Sequence, residues 1–315
     1  MKLLISRALP EVNLALAEAH FDVTLRGTTQ PMGHQECVAA LQDYDLILPT
    51  LGDAFSAAAF AEATPPRTKL LANFGVGYNH IDVAAAHTAG IAVTNTPGAV
   101  TDATADIALT LMLMTARRAG EGERMLRAGE WAGWHPTQML GLHMSGKTVG
   151  IIGMGRIGQA IAARCHYGFG MEVLFVNRSA KPDLLGTQID TIPALCARSD
   201  IVVMAVPGGA ETHHLMGAQG FAAMQPHAIF VNIARGDVVD ETALIAALRA
   251  QQIAGAGLDV YEFEPQVPQA LIDMENVTLL PHLGTAALEV REAMGAMAID
   301  NLLAFQRGDA LPNPV

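Results

Sequence analysis

Three ionisable residues of this chain, Arg235, Glu264 and His282, have the types that acid–base work on a carbonyl compound requires. Each lies just beyond an apolar run that reads as a buried strand: Ala228–Ile233 before Arg235, Gly257–Val260 before Glu264 and Val277–Leu280 before His282. Arginine suits a carboxylate because its planar fork matches the two oxygens in two bonds. Histidine suits proton donation because its ordinary pKa lies near working pH, and a carboxylate neighbour raises such a pKa and fixes the ring. Taken singly, each also has an ordinary reading. Arg235 could be a surface cation, Glu264 a solvated loop carboxylate and His282 a satisfied histidine in a proline turn. Joint placement is what singles them out.

A second constellation supplies what the first lacks. Gly150–Ser179 reads as a strand over Lys147–Ile152, then Gly153, Gly155 and Gly158 in G-x-G-x-x-G order, then helical character over Gln159–Cys165. A further strand follows over Met171–Val176. Strand, glycine turn, helix and strand in that order predict a dinucleotide-binding βαβ unit. The first glycine permits a tight turn, the second lets a pyrophosphate approach the backbone, and the third lets helix and strand pack closely. The helix N-terminus then presents free N–H groups and a positive dipole end to phosphates. A nucleotide site followed by a carboxylate anchor and a proton donor predicts hydride transfer to a 2-oxo acid.

The end of the second strand bears on cofactor choice. An NAD-preferring site places Asp or Glu there to accept from the ribose hydroxyls. This chain has Asn177, followed by Arg178 and Ser179, with Lys181 nearby. An amide does not repel a 2′-phosphate, and Arg178 could pair with one; the alternative is a plain polar loop. NADP(H) is therefore the expected cofactor, with NAD(H) possible.

The elements that must hold these residues alternate between strand and helix. Strands are expected at Lys2–Ser6, Phe21–Leu25, Asp45–Thr50, Lys69–Phe74 and Ile91–Asn95, with helices at Glu11–Ala19, Glu36–Gln42, Asp53–Ala63 and Asp82–Ala89. Thr96-Pro97-Gly98 breaks the pattern and reads as a hinge. Thr101–Arg118 predicts one long helix, apolar nearly all round and hence buried. Ala119–His143 is polar, carries Trp131 and Trp134 and shows no clear period; a segment of that kind is usually functional or an interface arm. A second α/β layer starts near Lys147, with later strands at Ile201–Val206, Ala228–Ile233, Gly257–Val260 and Val277–Leu280. Its helices fall at Ile192–Arg198, Glu241–Gln251 and Ala286–Phe305. The fold class is α/β, with two Rossmann-like doubly wound parallel sheets. Ligands in such sheets bind beyond the carboxyl ends of the strands.

Bulk properties exclude several classes. With 315 residues the chain is long enough for two cores, and 51% hydrophobic against 16% charged residues argues against disorder. A net charge of −12 opposes nonspecific nucleic-acid binding. Cys37, Cys165 and Cys196 show neither metal spacing nor a paired framework, so no metal is expected and a reducing, cytoplasmic location is. No signal peptide is read at Met1–Pro10, and Ile107–Met114 is too short an apolar run to cross a bilayer.

Six stretches together resemble the D-isomer-specific 2-hydroxyacid dehydrogenase family over essentially the whole chain. They are V-G-Y-N-H-I-D at Val76–Asp82, N-T-P-G-A-V-T-D-A-T-A-D at Asn95–Asp106, G-M-G-R-I-G at Gly153–Gly158, N-I-A-R-G-D-V-V-D at Asn232–Asp240, G-L-D-V-Y-E-F-E-P at Gly257–Pro265 and P-H-L-G-T at Pro281–Thr285. Within the family, W-A-G-W-H-P followed by M-L-G, with N-R-S after the second strand, is most similar to the bacterial glyoxylate/hydroxypyruvate reductases.

The resemblance implies a role for each residue. Arg235 would hold the substrate carboxylate and carbonyl with help from the Val76 and Gly77 N–H groups, His282 would be the acid/base and Glu264 its partner. Leu51 and Trp134 would wall the substrate pocket, Trp134 reaching over from a partner subunit of a homodimer. Asp259 would orient the nicotinamide carboxamide and Thr104 would lie near its ribose. Met154, Arg156, Ile157, Pro207, Thr212, Ala234 and Gly284 would line the rest of the cofactor. Implied too are a discontinuous substrate-binding domain of residues 1–98 plus 287–315, a dinucleotide-binding domain of residues 99–286 with a dimerisation arm at 119–146, and an active site in the cleft between them. The same fold also serves non-catalytic dinucleotide-sensing corepressors. An NADH-preferring dehydrogenase of another 2-hydroxy acid is a further alternative.

Overall fold

The computed structural model describes residues 1–315, which divide into two compact units: Met1–Val100 with Thr285–Val315, and Thr101–Gly284.

The first unit is a five-stranded sheet of β1 (Lys2–Ile5), β2 (Asp22–Leu25), β3 (Leu46–Leu48), β4 (Leu70–Ala72) and β5 (Ala92–Thr94), in the order β2-β1-β3-β4-β5 and parallel throughout. Short apolar strands buried on both faces produce this arrangement. Leu3, Ile5, Leu46, Leu48 and Leu70 point to one face, where they meet Ala298, Ile299 and Leu302 of the helix Leu288–Arg307. Leu4, Ile47, Leu71 and Val93 point to the other, against Leu41, Phe55 and Phe60. The final helix thus belongs to the first unit although it is last in sequence. Gly295 allows its close approach, since a Cβ there would strike the Asn13 side chain.

The second unit is a seven-stranded parallel sheet. Its strands are β6 (Thr148–Ile152), β7 (Glu172–Val176), β8 (Thr187–Gln188), β9 (Ile201–Met204), β10 (Ile229–Asn232), β11 (Gly255–Leu258) and β12 (Val277–Leu279). The order β12-β11-β10-β9-β6-β7-β8 makes β6 the strand from which the chain winds in both directions. It pairs with β7 on one side and β9 on the other, and the crevice at its carboxyl end is the switch point where such sheets bind ligands.

The helix Thr101–Ala116 packs on one face of this sheet but is not buried all round, contrary to its composition. Asp102, Asp106, Thr110 and Leu113 recur at helical spacing as an exposed stripe, with Arg164 bridging both aspartates. The segment after it also departs from expectation. Ala119–Ala128 is a helix, started by Arg118 at φ 52° and ended by Gly129 at φ 72°. None of its residues is buried. Ion pairs of Arg118 with Glu121, Arg127 with Glu123 and Arg124 with Glu275 support it instead. Beyond it, Trp131 and Trp134 are both exposed. The short strand β8 and the helices Ala218–Ala223 and Gln269–Ile272 lacked a legible pattern. The helix after the glycine motif begins earlier than expected, at Arg156, and continues past Ala163 as a π-helical turn over Arg164–Gly168.

Candidate active site

The three glycines after β6 are in three different surroundings. Gly153 has φ 102°, and a Cβ there would fall 2.7 Å from the Ala205 carbonyl oxygen, so the turn excludes any side chain. At Gly158 a Cβ would overlap the Gly153 carbonyl oxygen, so helix and turn touch only because it is absent. Around Gly155 nothing lies within 4 Å of that position. The backbone there is open, and Gly155 is the cap of helix Arg156–Ala163 with no side chain satisfying its first N–H groups. An open glycine over uncapped N–H groups fits a diphosphate. Arg156 is exposed and Ile157 half-buried at this end of the helix. The N–H of Met154, itself buried, donates to Asn177 Oδ1 at 3.2 Å, so the residue after β7 also braces the glycine turn.

Asn177 Nδ2 in turn donates to the Ser179 carbonyl and hydroxyl, at 3.0 and 3.1 Å. Arg178 is placed differently from the simple expectation of a waiting phosphate partner. It forms an ion pair with Glu211 at 2.8 Å, both side chains standing more than four-fifths in solvent. In the loop after β9, the Thr212 hydroxyl donates to the Pro207 and Gly209 carbonyls at 2.8 and 3.1 Å, which folds the loop. Buried Thr104 donates to the Gly284 carbonyl at 3.2 Å.

Arg235, Glu264 and His282 come together at the carboxyl ends of β10, β11 and β12. Asn232, buried at the end of β10, shapes the first loop: its Oδ1 accepts from the Ala234 N–H at 3.0 Å and its Nδ2 donates to the Arg235 carbonyl at 2.8 Å. The Arg235 guanidinium donates to the Ala234 carbonyl at 2.7 Å and forms no ion pair. Burial pulls its pKa down, opposed by the negative charges of Glu264 and Asp237. A partly buried cation without a carboxylate of its own is suited to an anionic ligand.

His282 Nδ1 and Glu264 Oε2 are 2.9 Å apart, leaving Nε2 without a partner in the chain. Burial alone would raise the Glu264 pKa. The hydrogen bond and charge of His282, the Tyr261 N–H and the Arg235 charge outweigh it and hold the carboxyl below its ordinary value. His282 itself sits at φ 55°, a conformation that non-glycine residues seldom adopt and that recurs at functional sites. Asp259 stabilises it there. Its carbonyl accepts the His282 N–H at 2.9 Å, and its carboxylate accepts the Leu283 and Gly284 N–H groups at 2.6 and 2.8 Å. Burial raises the Asp259 pKa, partly offset by those two N–H groups and by His282.

Leu51, Val76 and Gly77 belong to the first unit. Asp53 fixes the Leu51 turn, its carboxylate accepting from the N–H groups of Thr50 and Met32 at 2.8 Å each, while Arg7 donates to the Leu51 carbonyl. After β4, Asn95 donates to the Val76 carbonyl at 2.9 Å and Asn73 to the Gly77 carbonyl at 3.0 Å. The carbonyls are thereby tied back and the N–H groups make no hydrogen bond within the chain.

Two contributors, Glu241 and Gly236, escaped the sequence reading, and a third residue, Asp259, has a further role besides the one expected of it. The Asp259 carboxylate is engaged by the His282 loop, a role that its strand-end position alone did not disclose. Glu241, buried at the start of helix Glu241–Arg249, accepts the Glu262 N–H at 3.0 Å and so holds the loop that carries Glu264. Gly236 lets that loop approach Arg235, because a Cβ on it would overlap the Tyr261 carbonyl group. Glycine next to the arginine was the available signal.

Known proteins resemble this chain over its whole length. The model of the D-isomer specific 2-hydroxyacid dehydrogenase NAD-binding domain matches residues 109–284. The glyoxylate reductases of Thermococcus onnurineus and Thermococcus kodakarensis are 42% and 43% identical to this chain, over all of it and 95% and 96% of their own lengths. A crystal structure of an NADPH-dependent glyoxylate/hydroxypyruvate reductase from Sinorhizobium meliloti, in complex with NADP and malonate, superposes with a TM-score of 0.89. It is 35% identical and the match covers all of this chain and 96% of that one. A protein structure from Thermus thermophilus superposes with a TM-score of 0.92 at 40% identity, each chain being fully covered. The chain belongs to the D-isomer-specific 2-hydroxyacid dehydrogenase family.

Proposed function

We propose that this enzyme reduces glyoxylate, hydroxypyruvate or a similarly small 2-oxo acid to the D-2-hydroxy acid, with NADPH as the preferred hydride donor. The observation that carries the reading is the joint geometry of an ion-pair-free Arg235 and a His282–Glu264 pair 2.9 Å apart. Arg235 binds the substrate carboxylate through its fork and draws electron density towards the carbonyl oxygen. Glu264 holds Nδ1, which sets the ring orientation. Nε2 then gives its proton to the carbonyl oxygen as the alkoxide develops. The bound dinucleotide supplies the hydride. Gly153–Gly158, Thr104, Asn177, Arg178, Ser179, Pro207, Thr212, Ala234, Asp259 and Gly284 are the residues assigned to hold it.

The experiment is loss of absorbance at 340 nm with NADPH and glyoxylate, run on the parent and on His282→Ala. A positioned acid contributes typically ~10²–10⁴-fold, so the variant should lose turnover by that factor while still binding NADPH. Turnover within a few-fold of the parent would remove His282 from the role, and no oxidation with any small 2-oxo acid would favour a dinucleotide-sensing protein. We further infer a two-fold dimer with Trp131 and Trp134 in the contact, supported by the exposure of both indoles. A monomer by light scattering at micromolar concentration would contradict it.

A further inference from the structure

His213, His214 and Glu262 form a cluster that the reduction of a 2-oxo acid does not use. Two loops of the second unit bring it together, the one after β9 and the one after β11. One nitrogen from each imidazole and one oxygen of the carboxylate all lie within 4.8 Å of one another. The rings stack with centroids 4.0 Å apart, and His214 Nε2 lies 2.7 Å from Glu262 Oε1.

The cluster is held from behind. His214 has φ 50°, and its N–H donates to the Asp237 carbonyl at 2.8 Å. Glu262 is fixed through its own N–H, which donates to Glu241 at 3.0 Å. Both imidazoles are exposed, so their rings can turn towards an ion without disturbing a core.

We propose that His213, His214 and Glu262 bind a divalent transition-metal ion of the zinc, cobalt or nickel type. Two imidazoles and one carboxylate suit those metals, whereas magnesium and calcium take oxygen ligands. An ion with bonds of about 2.0–2.2 Å holds ligand atoms roughly 3.3 Å apart in a tetrahedron, a spacing between the 2.7 Å of the His214–Glu262 contact and the 4.8 Å within which all three ligand atoms lie. The three protein ligands leave a fourth position to water. The ion ties the loop that contains Thr212 to the loop that contains Glu264. His214 and Glu262 lie 48 residues apart in sequence on separate loops, so no spacing motif announces the site.

The test uses the full-length protein, stripped with chelator and titrated with Co²⁺ by visible absorption and with Zn²⁺ by calorimetry. One equivalent should bind per chain, with a d–d band from nitrogen and oxygen ligands, and Zn²⁺ should raise the melting temperature. His213→Ala and Glu262→Gln should each weaken binding at least about tenfold, the scale seen even for groups that only support a ligand. His34→Ala, at the separate exposed His34–Glu62 pair, should leave it unchanged. The proposal is overturned if the parent binds no equivalent at micromolar metal, if either ligand variant keeps the parent affinity, or if His34→Ala abolishes binding.

Discussion

Gly236 faces the backbone of Tyr261 so closely that no side chain fits between them. The residue after Arg235 and the loop that leads to Glu264 are thus in direct contact, and the spacing of Arg235 from Glu264 and His282 depends on it. Gly236→Ala should force the loops apart. Overpacking of this kind costs typically ~1–3 kcal/mol. The variant should melt lower than the parent and lose kcat as well as stability, since small misplacements of a reacting group cost rate. Unchanged melting and unchanged kcat would mean that the loops are free to move.

How much of this was legible beforehand follows from the kind of signal each feature leaves. Buried parallel strands such as Ile201–Met204 and Ile229–Asn232 are unbroken apolar runs, and their carboxyl ends lead directly to the Pro207 loop and to Arg235. Gly153, Gly155 and Gly158 were readable because a phosphate-binding turn requires glycine at fixed spacing. The helix Ala119–Ala128 was not, because it buries no residue and is supported by ion pairs, two of them within the segment and one to Glu275. Nor was the Arg178–Glu211 pair, whose members come from different loops. Asp259 was visible as a residue but its bonds to Leu283 and Gly284 depend on backbone geometry.

Arg235 tests whether the site reads a carboxylate by shape or only by charge. Arg235→Lys keeps the cation and loses the planar fork, so KM for glyoxylate should rise and kcat should fall together. Steady-state kinetics on both proteins check this. A fall in kcat with KM unchanged would assign the carboxylate to another residue.

Glu264 makes a prediction about acid. Its folded pKa lies below the ordinary glutamate value of about 4.3, because its bonds to His282 and Tyr261 and the Arg235 charge outweigh burial. A depressed carboxylate contributes stability above its unfolded pKa and loses it as pH falls through the folded one. Glu264→Gln should therefore be less stable than the parent at about pH 7, and the gap should close below about pH 4.3. The side chain is 31% exposed, so the gap at neutral pH should be modest. Urea midpoints at about pH 7 and about pH 3.5 measure it. A gap of equal size at both values would show that the stabilisation is not that of the charge.

Cofactor choice turns on charge at the end of β7. A 2′-phosphate carries roughly −1.5 to −2 charge, like other phosphate monoesters. A carboxylate at position 177 would face it, and two unit charges 4 Å apart interact by ~4 kcal/mol at an effective dielectric of 20 before screening. A third of that is about tenfold in selectivity. Asn177 avoids this repulsion, but Arg178 is not idle, since Glu211 holds it at 2.8 Å. An exposed ion pair of that kind is worth about 0–1 kcal/mol, so a phosphate with more charge should displace the carboxylate. Glu211→Gln should therefore raise kcat/KM for NADPH a few-fold and leave NADH unaffected. Asn177→Asp combined with Arg178→Ala should shift the preference towards NADH by at least about tenfold, with little change in the order of 2-oxo acids accepted. Initial rates with both cofactors on the three proteins decide the matter. Equal or higher kcat/KM with NADH in the parent would end the NADPH reading, and an unchanged Glu211→Gln would show that Arg178 does not meet the phosphate.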